Sequence, residues 1–164
     1  MKRLLLVDGE SVVQDALRPH IRPAYELIHV PSGGQALALL RHDLVDLAIL
    51  EYRLPDLSGL DLLARIKAMS PRLPAIMVTA FGSEVVCASA FELGARDSFV
   101  TPCNPAELRA SLDSILSAVD RQREQRTNAL PPFPSAGVQG RDGAIQRWMR
   151  LNAPTTSRQS VKVP

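Results

Sequence analysis

Asp46-Leu-Ala-Ile-Leu-Glu-Tyr-Arg-Leu-Pro-Asp-Leu-Ser-Gly59 is the stretch on which the reading of the chain turns. The run after Asp46 is too uniformly apolar for a half-wet strand, which suits a strand of a parallel sheet covered on both faces. It stops at a carboxylate, Glu51. Pro55 and Gly59 then supply turn chemistry, and Leu60, Leu62, Leu63 and Ile66 take up helical spacing as far as Met69, before Pro71. An acidic group at the exit of such a strand sits at the sheet edge where parallel α/β folds carry their ligands.

The same alternation runs through the first 120 residues. Strands are expected at Arg3 to Val7, Tyr25 to Val30, Asp46 to Leu50, Ala75 to Thr79 and Ser98 to Val100. Helices are expected at Ser11 to Arg18, Gly33 to His42, Gly59 to Met69 and Ser83 to Leu93, the last stopped by Gly94. A fifth begins after Pro105, with Leu108, Leu112, Ile115, Leu116 and Val119 forming one apolar stripe and the polar run Asp120 to Asn128 projecting beyond the core. Right-handed crossovers between parallel strands make this a flavodoxin-like, doubly wound five-stranded parallel sheet in the order 2-1-3-4-5, with five helices.

Length and composition fit one such domain and an extension: 164 residues, 46% of them hydrophobic. From Arg121 onward eight basic residues face two acidic ones, a net of +6, which leaves −4 for residues 1–120 of a chain whose total is +2. The division expected is a domain over 1–120, a helical extension and Pro-rich linker over 121–136 around Pro131-Pro-Phe-Pro-Ser135, and a short helix and extended tail over 137–164. No apolar run approaches the roughly 20 residues that span a bilayer, and Asp8 interrupts the first apolar run too soon for a secretory signal, so no membrane association and a cytoplasmic location are expected. Cys87 and Cys103 lack metal-ligand or disulfide spacing and read as reduced, partly buried thiols. There is no helix-turn-helix pattern, zinc-ligand set or aromatic stacking array, so the chain alone is not expected to bind nucleic acid sequence-specifically.

Leu4-Leu-Leu-Val-Asp8, Leu54-Pro-Asp-Leu-Ser-Gly-Leu60, Val78-Thr-Ala80 and Gly94-Ala-Arg-Asp97 follow in an order and spacing that resembles the receiver domain of bacterial response regulators. The segment from Ala80 to Gly94 resembles most the receivers of nitrogen-regulation-type AAA+ transcriptional activators. Gly137 to Leu151 resembles the opening of the AAA+ module in those proteins, and Trp148 lies within it. No Gly-x4-Gly-Lys-Ser/Thr occurs, so P-loop ATP binding by this chain is excluded.

The resemblance implies a phosphoacceptor aspartate at position 51, two carboxylates after strand 1 that hold Mg2+, a lysine before the proline after strand 5, and a hydroxyl and an aromatic side chain that relay the signal. Here Asp8 matches the first acidic position, Gly9 stands at the second, and Glu10 follows. Glu51 is one methylene longer than the acceptor, Thr101 replaces the lysine, Thr79 keeps the hydroxyl and Ser98 replaces the aromatic ring. Phosphoryl transfer depends on positioning and charge. A lysine ammonium ~5 Å from a carboxylate at an effective dielectric of ~20 interacts with it by ~3 kcal/mol. Weak or absent Mg2+ binding at Asp8 and Glu51, no other cofactor and no catalytic residue are therefore expected. Each residue also has an ordinary role open to it: Asp8 as a cap for the following helix, Glu51 as a loop carboxylate, Thr79 as a strand residue.

The reading that follows is an atypical receiver, not an enzyme, acting as a phosphorylation-independent module toward a protein partner. That partner is a sensor kinase, another regulator or a second copy in a homodimer. A glutamate in the acceptor position can resemble an aspartyl phosphate and hold Thr79 in an active-like place; equally open is a locked domain whose surface around strand 5 and the flanking helices serves for dimerisation or docking. The alternatives are a working phosphoacceptor in which Glu10 substitutes at the metal, and a fragment of a AAA+ activator.

Overall fold

The computed structural model describes residues 1–10, 12–21, 23, 25–80 and 84–129. The Pro-rich linker, Trp148 and the tail over 137–164 lie outside them, as do Ser11 and Ser83. Five strands, β1 (Lys2–Val7), β2 (Tyr25–Val30), β3 (Leu47–Leu50), β4 (Ala75–Thr79) and β5 (Asp97–Val100), form one parallel sheet in the order β2-β1-β3-β4-β5. Helices α1 (Val12–Leu17), α2 (Gly33–His42), α3 (Gly59–Met69), α4 (Glu84–Glu92) and α5 (Pro105–Ala129) follow the strands in turn. This is the flavodoxin-like order expected from the alternation. Contacts divide the chain into residues 1–119, which contain the sheet, and residues 120–164.

Strand periodicity sorts the apolar residues between two cores. Leu5, Val7, Ala48, Leu50, Ala75 and Met77 meet Ala36 of α2, Leu62, Leu63 and Ile66 of α3 and Ala90 of α4. Their neighbours Leu4, Leu6, Leu47, Ile49, Ile76 and Val78 point the other way and meet Val13 and Leu17 of α1 and Leu108, Leu112 and Leu116 of α5. Burial of each such side chain stabilises by about 1.5–3 kcal/mol. The central strands β3 and β4 are buried throughout, whereas the edge strand β5 is only half-buried and ends on exposed Val100.

Element ends differ from the expected ones where local chemistry intervenes. The first helix was expected to run to Arg18; α1 ends at Leu17, and Arg18–His20 continue as a 3-10 turn with Pro19 in its first positions, where a missing N–H is tolerated. Helix α4 closes with Gly94 at φ 94°, a left-handed conformation suited to glycine. Of the stripe on α5, Leu108, Leu112 and Leu116 are buried, while Ile115 and Val119 are half-buried. No helix among the described residues is long and apolar enough to cross a membrane.

Two contacts fix the β3–α3 loop. Asp56 accepts from the N–H groups of Gly33 (3.0 Å) and Gly34 (2.7 Å) at the start of α2, 23 and 22 positions away, and these donors, Gly34 foremost, hold its carboxyl below the ordinary aspartate value. At the far end Gly59 donates its N–H to the Tyr52 carbonyl (2.7 Å), and a Cβ added at Gly59 would collide with the Glu51 carbonyl oxygen and lie 2.8 Å from Tyr52 Cα. Only a residue without a side chain fits against that backbone. Gly59→Ala is expected to destabilise the fold by about 1–3 kcal/mol, as overpacking does, measured as a lower urea midpoint at unchanged m-value.

Candidate functional site

Strand register brings three of the anticipated residues together at the carboxyl edge. Val7 pairs with Leu50, and Glu51 donates its N–H to the Val7 carbonyl (2.9 Å), so Asp8 and Glu51 leave adjacent strands side by side. Thr79 ends β4 and is fully buried, Glu51 is 8% exposed and Asp8 2%. Thr101 lies just past β5, where its N–H donates to the Thr79 carbonyl (2.8 Å).

Asp8 takes the capping role. Its Oδ1 accepts from the Glu10 N–H (3.1 Å) ahead of the helix, and its Oδ2 accepts from Val13 (2.8 Å) and Gln14 (3.3 Å) at the start of α1, so Oδ2 satisfies two orphan helix donors. The Asp8 carbonyl is also 2.8 Å from His29 Nε2 on β2. Glu10 is exposed, and its backbone, through that N–H, is what meets Asp8. Gly9 contributes no carboxylate. A Cβ there would stand 3.2 Å from Pro55 Cδ, so the space at this position is partly closed by the loop after β3.

Glu51 curls back on its own loop. Oε1 accepts from the N–H of Tyr52 (2.6 Å) and of Arg53 (3.3 Å), and the Thr79 hydroxyl donates to the same carboxylate. The extra methylene therefore turns the carboxylate toward backbone donors instead of carrying it outward. Burial is the largest influence on its acidity and raises the pKa above 4.5; the bonds from Thr79, Arg53 and Tyr52 oppose this, and the neighbouring Asp8 charge adds to it.

A hard divalent cation asks for about six oxygens in near-octahedral array, with one or two carboxylates among them, and the two carboxylates at this edge already accept backbone hydrogen bonds. Asp8 has both oxygens bonded, Glu51 has Oε1 bonded twice, and Gly9 offers none. Among the described residues no group of three or more His, Cys, Asp or Glu is arranged to hold a metal ion.

The remaining two anticipated residues have other neighbours. Ser98 pairs with Met77, two positions short of the Thr79 register, and its hydroxyl donates to the Cys87 sulfur on α4 (3.2 Å). Thr101 lines an apolar cavity between α1 and α5. Cys87 and Cys103 are both free and half-buried, and burial pushes the Cys103 thiol up. The Asp56 clamp on α2 escaped the sequence reading, because a carboxylate in a turn carries no mark of a partner 22 residues away.

The raised Glu51 pKa has a defined sign. A folded-state value above the unfolded one means that this group's contribution is fully present below pH 4.5 and is lost as the pH rises through the folded value. Glu51→Gln, which cannot ionise, is therefore expected to unfold at a higher urea concentration than the unsubstituted chain at pH 7. The gap should close as the pH falls below 4.5, followed by denaturation at a series of pH values.

Residues 4–113 match the model of the response regulator receiver domain. Over 158 residues the chain is 28% identical to the regulatory protein LuxO of Vibrio vulnificus, an alignment that covers 96% of this chain and 34% of LuxO. It is 35% identical over 129 residues to the alginate biosynthesis transcriptional regulatory protein AlgB of Pseudomonas aeruginosa, covering 78% of this chain and 28% of AlgB. The chain thus spans about a third of the length of these curated relatives. Among solved structures, a CheY-like response regulator receiver domain protein from Methanospirillum hungatei superimposes with a TM-score of 0.69 at 26% identity, covering 74% of this chain and 98% of the other.

Proposed function

This chain belongs to the response regulator receiver domain family, and we propose that within it the domain is a protein-interaction module whose conformation is set without phosphorylation. The observation that carries this reading is the Glu51 carboxylate, 8% exposed and bonded to the Tyr52 and Arg53 N–H groups and the Thr79 hydroxyl. An acceptor oxygen must face an incoming phosphoryl group in line, with positive charge at hand to offset that of the donor. Glu51 faces inward. Its charged neighbour Asp8 is of like sign, Thr101 stands at the lysine position, and Mg2+ affinity at this donor set is too low to take part.

The bond from Thr79 to Glu51 supports a permanent, active-like setting of the end of β4, since a carboxylate here occupies the hydroxyl that a phosphorylated aspartate would otherwise engage. Glu51 carries less charge and fewer acceptor oxygens than a phosphoryl group, so the setting is held by burial as much as by charge. Ser98 does not form an aromatic relay, and its bond to Cys87 ties β5 to α4 instead. The readout is then surface docking. Val85 and Phe91 of α4 and Val100 of β5 are 73%, 50% and 45% exposed, and they give this side of the domain apolar area for a sensor kinase, another regulator or a second copy. By likeness to LuxO and AlgB, the setting is two-component signalling and the regulation of transcription; the domain itself carries out no enzymatic step.

Incubation with Mg2+ and acetyl phosphate, followed by intact-mass measurement, tests the reading. No gain of a phosphoryl group is expected for the unsubstituted chain or for Glu51→Asp, because Gly9 and Thr101 remain in both. A stoichiometric gain located at Glu51 would overturn the proposal and favour the working phosphoacceptor.

A further inference from the structure

Beneath the loop that follows β5, an apolar cavity of about 360 Å3 opens between α1 and α5. Val13 and Leu17 wall it on the α1 side, Leu108 on the α5 side, and Val78 forms part of its floor; all four are at most 3% exposed. The polar side-chain groups among its lining residues are the Thr101 hydroxyl and the Cys103 thiol, and none of the lining residues is charged. Protein interiors are close-packed and hold few voids larger than a water molecule. Its lining offers little to hold ordered water, and an apolar cavity of ~150 Å3 takes up benzene. The volume here is more than twice that and lies within the ~300–1,000 Å3 of small-molecule sites.

We propose that this cavity is a binding site for a small, uncharged, largely apolar molecule of about two fused rings, with at most one polar group, which meets the Thr101 hydroxyl. An ionised ligand is disfavoured, because burial of a charge without a partner is costly. The site is coupled to the carboxyl edge through its own walls. Val78 directly precedes Thr79, and the Thr101 N–H donates to the Thr79 carbonyl (2.8 Å), so an occupant presses on the two residues that bracket the hydroxyl on Glu51. The proposal does not depend on whether Glu51 accepts a phosphoryl group.

Cys103 lines the cavity and Cys87, on α4, does not, which gives the full chain an internal control. The test uses 1-naphthol, with 1-naphthoate as its charged counterpart, and reads alkylation of each cysteine by N-ethylmaleimide through peptide mass. At ten times its Kd, 1-naphthol is expected to slow alkylation of Cys103 about tenfold, following 1 + [L]/Kd, and to leave Cys87 unchanged. 1-Naphthoate at the same concentration should protect neither. Cys103→Phe, which fills the cavity, should weaken 1-naphthol binding by calorimetry at least about tenfold, or roughly 1.4 kcal/mol. If that variant does not fold, the comparison of the two cysteines in the unsubstituted chain decides alone. Absence of protection at Cys103, equal protection of both cysteines, equal protection by 1-naphthoate, or undiminished binding by a folded Cys103→Phe would each overturn the site.

Discussion

A carboxylate folded over the first two N–H groups beyond its own strand governs the carboxyl edge of this domain. Where β3 ends, the backbone donors of Tyr52 and Arg53 leave the sheet ladder and need other acceptors. Glu51 supplies one through Oε1, and the approach of Gly59 to the Glu51 and Tyr52 backbone closes the loop around it. The Thr79 hydroxyl completes the set and links β3 to β4. Backbone shape, side-chain direction and the neighbouring strand thus agree on one position for the carboxylate.

The other acidic residue at this edge is held as firmly. Asp8 bonds three N–H groups at the entry to α1, so its carboxylate fixes the direction in which the chain leaves β1. Desolvation is the main cause of the upward shift of Glu51, and the like charge of Asp8 adds a smaller part. Thr101 belongs to the same change in chemistry. It lines an apolar space beside the edge and shares a backbone bond with Thr79, so the region after β5 is tied to the end of β4 by packing and main-chain geometry.

The fold was legible because buried parallel strands and amphipathic helices write different periods, and the runs at 3–7, 46–50 and 75–79 are nearly pure. The positions of Asp8, Glu51 and Thr79 at one edge followed from strand order alone. Helix ends were less legible, since the 3-10 turn through Pro19 uses a residue that reads as a stop. Side-chain direction was beyond reach. A longer side chain at position 51 reads as a carboxylate moved outward, yet the N–H groups of the next two residues draw it inward. Long-range pairings such as Asp56 with Gly33 and Gly34, or Ser98 with Cys87, arise from tertiary placement and have no local signature. The α1–α5 cavity is a property of what several elements fail to fill, which no single stretch records.

The inward carboxylate is the claim from which the rest follows, and a crystal structure grown with Mg2+ and beryllofluoride examines it directly. Oε1 of Glu51 is expected to keep its bonds to the Tyr52 and Arg53 N–H groups, with no beryllofluoride bonded to it. A Glu51 carboxylate turned outward and joined to beryllium, beside a fully coordinated Mg2+ held by Asp8, would contradict it.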